Sequence, residues 1–355
     1  MRFFNTTGPV VAADHYCIPP LQRVNLEEVL ALIRDKRYFV LHAPRQTGKT
    51  SALLALRDLL NGGSEGAYRC VYVNVESAQT ARENVERGMR AVLGTLGTRA
   101  RRTLGDDSLA SLWPDILTTF GPEGALQEVL VRWAEADPTP AVLLIDEIDT
   151  LVGDTLIAVL RQLRAGYDER PDGFPQSVIL CGVRDVRDYR IHSSAERTVI
   201  TGGSAFNVKA ASLRIGDFSE TDVRHLLAQH TAETGQRFVE VALQAVCELT
   251  AGQPWLVNAL AQEACFGDVA GRDRSRGITA EAIHAARERI ILRRETHLDQ
   301  LTDKLQEERV RRVIGPLLSG SEASGEIASR RPAVRTRPGL GGTGESDPRC
   351  QSHLP

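Results

Sequence analysis

The run "YFVLHAPRQTGKTSALLALRDLL" at residues 38–60 constrains this chain more than any other. A short apolar stretch ends at a proline, a polar loop closes on Gly48, Lys49 and Thr50, and a helical apolar pattern follows. In that order of strand, loop and helix, successive backbone N–H groups and a helix N-terminus point at one anion. In the pattern G-x-x-x-x-G-K-[ST], the lysine reaches the β- and γ-phosphates of a nucleoside triphosphate and the next hydroxyl ligates Mg2+. Residues Ala43, Pro44, Arg45, Gln46, Thr47, Gly48, Lys49, Thr50 and Ser51 are therefore the candidate phosphate loop, with Thr50 on the metal. Ala43 stands where the pattern has its first glycine. Alanine fails mainly where φ is positive, so the loop is expected to work if position 43 keeps a negative φ.

A second stretch, "AVLLIDEIDTL" at 141–151, reads as a buried strand running into two acids. Metal-assisted phosphoryl transfer needs a carboxylate near the metal and a group that orients or deprotonates water. Asp146 is expected to hold the metal through water, and Glu147 to polarise the attacking water. The alternative is that both acids cap the next helix; Asp154, at the start of "DTLIAVLRQLRAG", is read as already filling that role.

The rest of the chain fits an α/β core and then helices. "RCVYVNVE" (69–76), "SVILCGV" (177–183) and "ASLRIGDF" (211–218) read as further strands, making five with those above. Strands alternating with helices predict a parallel sheet covered on both faces. Asn25 is a candidate cap for "NLEEVLALIRDK", residues 77–137 read as helical, and a Ser219–Asp222 pair opens an all-helical region after Phe218. The segment 280–312 is dense in both charge signs, which suits a solvated surface or a face for a protein partner or self-association. From Ser319 the chain turns to Gly, Pro, Ser and Arg without periodicity, and disorder is expected.

Composition narrows the class. At 355 residues, 42% apolar and 25% charged, the chain suits two or three globular domains. A net charge of −3 gives no electrostatic case for nucleic acid, and no apolar run approaches the roughly 20 residues of a membrane span. "MRFFNTTGPVVAADHY" lacks the features of a secretory signal, so a cytoplasmic location is expected. Cys17, Cys70, Cys181, Cys247, Cys265 and Cys350 form no C-x-x-C pair; Cys70, Cys181, Cys247 and Cys265 lie in apolar stretches and read as buried free thiols.

With both motifs in place, the sequence resembles the P-loop NTPases of the AAA+ and STAND type. It is most similar to bacterial AAA-like ATP-binding proteins, through "YFVLHAPRQTGKT", "VLRQLRAGYDERPDGFPQSVILCGVRDVRDY" and "GQPWLVNALAQEAC". The resemblance spans about residues 10–318. It implies a P-loop NTPase core with a parallel five-stranded sheet flanked by helices, then an all-α lid domain. The division is a lead-in segment and helix 1–36, a core 37–217, a lid 218–318 and a tail 319–355. It implies ATP and Mg2+ as ligands and slow ATP hydrolysis that drives a conformational switch. The alternative it offers is a nucleic-acid-engaging ATPase of the origin-recognition type. Further roles follow only from the resemblance: Arg184 as a γ-phosphate sensor, or else paired with Asp185 or Asp188; Pro254 of "GQP" near the adenine, or simply a favoured first helical residue; Ile18 and Pro19 around the base. Arg164, Arg170, Arg190 and Arg197 are the candidates for an arginine offered to a neighbouring subunit. The resemblance also implies a folded continuation past "VIGPLLSG", so the tail is read as a frameshift or truncation near residue 322.

Overall fold

Five strands, four of them buried through their middles, set the architecture: β1 (Tyr38–His42), β2 (Arg69–Asn74), β3 (Ala141–Asp146), β4 (Ser177–Gly182) and the more exposed β5 (Lys209–Arg214). The computed structural model describes residues 1–63 and 68–293. Every neighbouring pair runs parallel, in the order β2-β3-β4-β1-β5. Continuous burial of β3 and β4 is what a parallel sheet covered on both faces requires.

One face of the sheet carries Phe39, Leu41, Tyr72, Leu144 and Ile179, packed against α1 (Leu26–Arg34) and α2 (Lys49–Asn61). The other carries Val40, Val71, Leu143, Val178 and Leu180. It is covered by α3 (Val85–Leu104), α4 (Ser108–Phe120), α5 (Ala125–Glu135) and α6 (Gly153–Ala165). Between β4 and β5 lies an antiparallel hairpin, Arg190–Ser193 with Thr198–Thr201. Beyond β5 come α7 (Glu220–Thr234), α8 (Glu240–Thr250), α9 (Pro254–Phe266) and α10 (Ala280–Leu292).

The caps at Asn25 and Ser219 form as the sequence predicts; Ser219 and Asp222 make a reciprocal capping box. Asp154 does not cap α6. Its carboxylate accepts from Ser193 Oγ and Ala195 N, so it fastens the hairpin to the helix instead. The fifth strand starts two residues earlier than predicted and ends at Arg214, while β2 stops at Asn74.

Met1–Arg293 is one compact unit. Within it, Arg2, Phe4 and Cys17 bond to helices after β5. Phe4 N donates to Gln262 Oε1 (3.2 Å), Cys17 exchanges two bonds with the Gln229 amide, and Arg2 pairs with Glu233. Phe4, tilted, and Tyr16, edge-on, pack against the fully buried His230. The expected lid beyond residue 293, the charged segment to 312 and the tail lie outside the described residues.

Gly252 joins these helices to the end of the sheet. It has φ +75° and its carbonyl accepts from Phe218 N (2.8 Å). A Cβ there would lie 2.0 Å from Phe218 O. Gly252→Ala is expected to cost roughly 1–3 kcal/mol, read as a thermal midpoint lower by several degrees.

Candidate functional site

In a parallel sheet all strands finish on the same edge, and the candidate residues gather there. The loop after β1 turns on two left-handed residues, Gly48 (φ +81°) and Gln46 (φ +59°). Ala43 is not among the positive-φ residues; it is fully buried and its N–H donates to Gly182 O (3.3 Å). The loop thus places its left-handed turn at Gln46 and needs no glycine at 43. Thr47 and Lys49 are buried, while Pro44, Arg45 and Gln46 are exposed. Lys49 Nζ and Thr47 Oγ1 both donate to Pro44 O, at 3.2 and 2.8 Å. Ser51, one residue into α2 beyond Thr50, accepts from Val10 N (3.0 Å), so the N-terminal segment touches the loop's helix.

The two motifs meet. Thr50 Oγ1 donates to Asp146 Oδ2 at 2.6 Å, and the phenol of Tyr72 donates to the same oxygen at 2.9 Å. Glu147 N donates to Asp146 Oδ1 at 3.0 Å. Asp146 is fully buried. Glu147 takes a left-handed backbone (φ +58°), a costly conformation for a carboxylate residue that turns it away from the strand's line. Burial first, then the Asp146 charge beside it, raises the Glu147 carboxyl above its ordinary range, and Lys49 acts against them.

Other candidates are less closely joined. Arg184, just past β4, is exposed, and among the described residues no ion pair holds it. Its expected partner Asp185 is taken instead by Lys209 (2.6 Å) and Arg187 (3.1 Å). Pro254 is buried at the first turn of α9, whose cap residue Gln253 donates to Gln46 O in the phosphate loop (3.4 Å). Ile18 is buried and Pro19 exposed, immediately before a turn (Pro20–Arg23) that packs on α2. Arg170 is stacked on Tyr38 and Tyr167, Arg164 donates to Ser204 O, and Arg190 and Arg197 are exposed on the hairpin. Among the cysteines, Cys247 is only partly buried, unlike Cys70, Cys181 and Cys265.

Two residues at this edge escaped the sequence. The Arg23 guanidinium lies 2.7 Å from where a Gly48 Cβ would be, donates to Gly216 O (3.0 Å) and sits over the Phe218 ring. Tyr72 lies in an apolar strand, where sequence alone does not tell it from a core aromatic. Its only hint was that a buried phenol must find an acceptor.

Residues 33–189, from the end of α1 through both motifs to just past β4, match the family of the AAA domain. Those residues form an AAA-type P-loop ATPase domain. A search of curated proteins finds no match. Among solved structures, the ATPase is similar to the Walker-type ATPase of Pyrococcus abyssi, at 14% identity and a TM-score of 0.53, covering 84% of this chain and 81% of that one. Cdc6p of Pyrobaculum aerophilum is similar at 16% identity and a TM-score of 0.49, over 77% of this chain and 69% of that one. RuvB of Thermotoga maritima follows at 14% identity and a TM-score of 0.43, over 84% and 82%. At 14% identity the likeness to the Pyrococcus abyssi ATPase is one of fold. In the ATPase, among the described residues, no helix is long and apolar enough to cross a membrane.

The Lys209–Asp185 pair anchors the loop that carries Arg184, with side chains 4% and 12% exposed. Burial opposes the Asp185 charge, but the Lys209 and Arg187 contacts outweigh it and hold the carboxyl well below the usual range. A depressed carboxyl contributes stability above its unfolded pKa and loses it as pH falls. The ATPase should therefore lose stability below about pH 4, and Asp185→Asn should flatten that decline in acid-unfolding curves. Lys209→Met leaves Asp185 with the exposed Arg187 alone and is expected to cost roughly 1–3 kcal/mol in denaturant melts.

Proposed function

We propose that the chain binds ATP with Mg2+, hydrolyses it slowly, and converts the change at the γ-phosphate into a shift of its helices against its sheet. The reading is carried by the Thr50–Asp146 bond, which ties the hydroxyl of the phosphate loop to a buried acid 96 residues away. Hydroxyl and carboxylate oxygens are the hard donors Mg2+ selects, and a buried lysine lies at the same edge for phosphate oxygens, so the residues suit the group. Thr50 would hold the ion directly and Asp146 through water. When bound, Mg2+ neutralises charge building on the β- and γ-oxygens.

The chain's own groups divide the remaining work. Loop amides and the N-terminus of α2 orient the phosphates, and Lys49 supplies their counter-charge. Glu147 accepts a hydrogen bond from a water and holds it in line with the γ-phosphorus; its raised proton affinity makes it a better base than an exposed carboxylate. The order of the sheet puts the end of β4 between the strands bearing the loop and the acids, which favours Arg184 as the γ-phosphate contact. Ile18, Pro19 and Pro254 flank the base. The switch reading assigns residues 37–217 to a core and 218–318 to a lid, linked through Gln253–Gln46.

Mg·ATP at a hundredfold excess over its Kd is expected to stabilise the fold by about 2.7 kcal/mol in thermal unfolding. Lys49→Ala should lose that increment. Glu147→Gln should keep it while phosphate release falls by about a hundredfold or more. Unchanged nucleotide affinity in Lys49→Ala would overturn the site.

A further inference from the structure

The end of β2 contributes to this site although neither sequence motif includes it. β2 and β3 run in register, with Tyr72 opposite Leu144 and Asn74 opposite Asp146. Tyr72 and Leu144 share the face against which α2 packs, the face from which Thr50 approaches. The phenol is 3% exposed and donates to Asp146 Oδ2 at 2.9 Å, on the same oxygen as Thr50 Oγ1. Arg99 of α3 lies over the ring, 5.9 Å from its centre. With Glu147 N on Oδ1, both carboxylate oxygens have a fixed donor and the plane of Asp146 is set.

We infer that Tyr72 is a positioning residue for the metal: it fixes the rotation of the Asp146 carboxylate so that the oxygen facing Thr50 meets the hydration shell of Mg2+. This rests on the proposed metal role of Asp146. An alternative use of the phenol, satisfying a buried acid for stability alone, makes a different prediction, because a purely structural bond does not alter metal dependence. Partners that orient a metal's ligands commonly contribute ten- to hundredfold in metal affinity.

The test compares wild type, Tyr72→Phe and Asp146→Asn in three measurements: Mg2+ half-saturation of phosphate release at saturating ATP, binding of a fluorescent ATP analogue in EDTA, and thermal midpoint without nucleotide. Tyr72→Phe is expected to raise the Mg2+ half-saturation roughly tenfold or more, with EDTA binding changed less than twofold. Tyr72→Met, apolar and flexible enough to fill the space, carries the same expectation should the phenylalanine variant not fold. An unchanged Mg2+ half-saturation in a folded Tyr72 variant overturns the inference, as does equal weakening of analogue binding in EDTA. If Asp146→Asn itself leaves the Mg2+ dependence unchanged, the metal site falls and Tyr72 with it. If Asp146→Asn loses it while the Tyr72 variants do not, only the role of Tyr72 falls.

Discussion

A fully parallel sheet sends the C-terminal end of every strand to one edge, and the arrangement of this molecule follows from that constraint. With β4 between β1 and β3, the phosphate loop and the acidic pair stand two strand spacings apart, about 9–10 Å. A gap of that width holds a phosphate group, yet a side chain can still close it. Thr50, at the start of α2, leans across and reaches Asp146. The burial that fixes these strands also places a carboxylate and a lysine out of water, where charge interactions are stronger and unpaired charges costlier. The donors crowded on Asp146 are the local answer to that cost.

The parts of the fold readable from sequence were those set by local pattern. Apolar runs of strand length bounded by proline, glycine or acids identified all five strands, and Asn25 and Ser219 capped where side-chain chemistry favours it. The loop and the acidic pair were legible because a strand, a turn and a charged residue follow one another within a few positions. What was not legible depended on distant partners. Asp154 looks like a cap by position, but its oxygens are claimed by a hairpin some forty residues on, at Ser193 and Ala195. Tyr72 meets Asp146 74 residues later, and Arg23 meets Gly216 after 193. The two-residue parallel pairing of Phe3–Phe4 with His15–Tyr16 is too short to leave any periodicity.

Ala43 shows how a loop can keep its geometry while departing from its pattern. The loop's left-handed angles fall on Gly48 and on Gln46, which is exposed, and not on residue 43. The Gln46 carbonyl is free to face the helices after β5 and accepts from Gln253. The same turn therefore belongs to the candidate phosphate loop and touches α9, the element that the proposed switch sets in motion.

The fastening of residues 2–17 to α7 and α9 also bears on how the chain is made. Phe4 and Gln262 are 258 residues apart, and Cys17 and Gln229 are 212 apart. On a ribosome adding about 5–20 residues each second, the opening segment is synthesised well before the helices that receive it. The sheet can assemble in the interval, because all five strands precede Ile215. Vectorial synthesis thus sets an order: the strands are complete before the contacts that bind residues 2–17 to α7 and α9 can close.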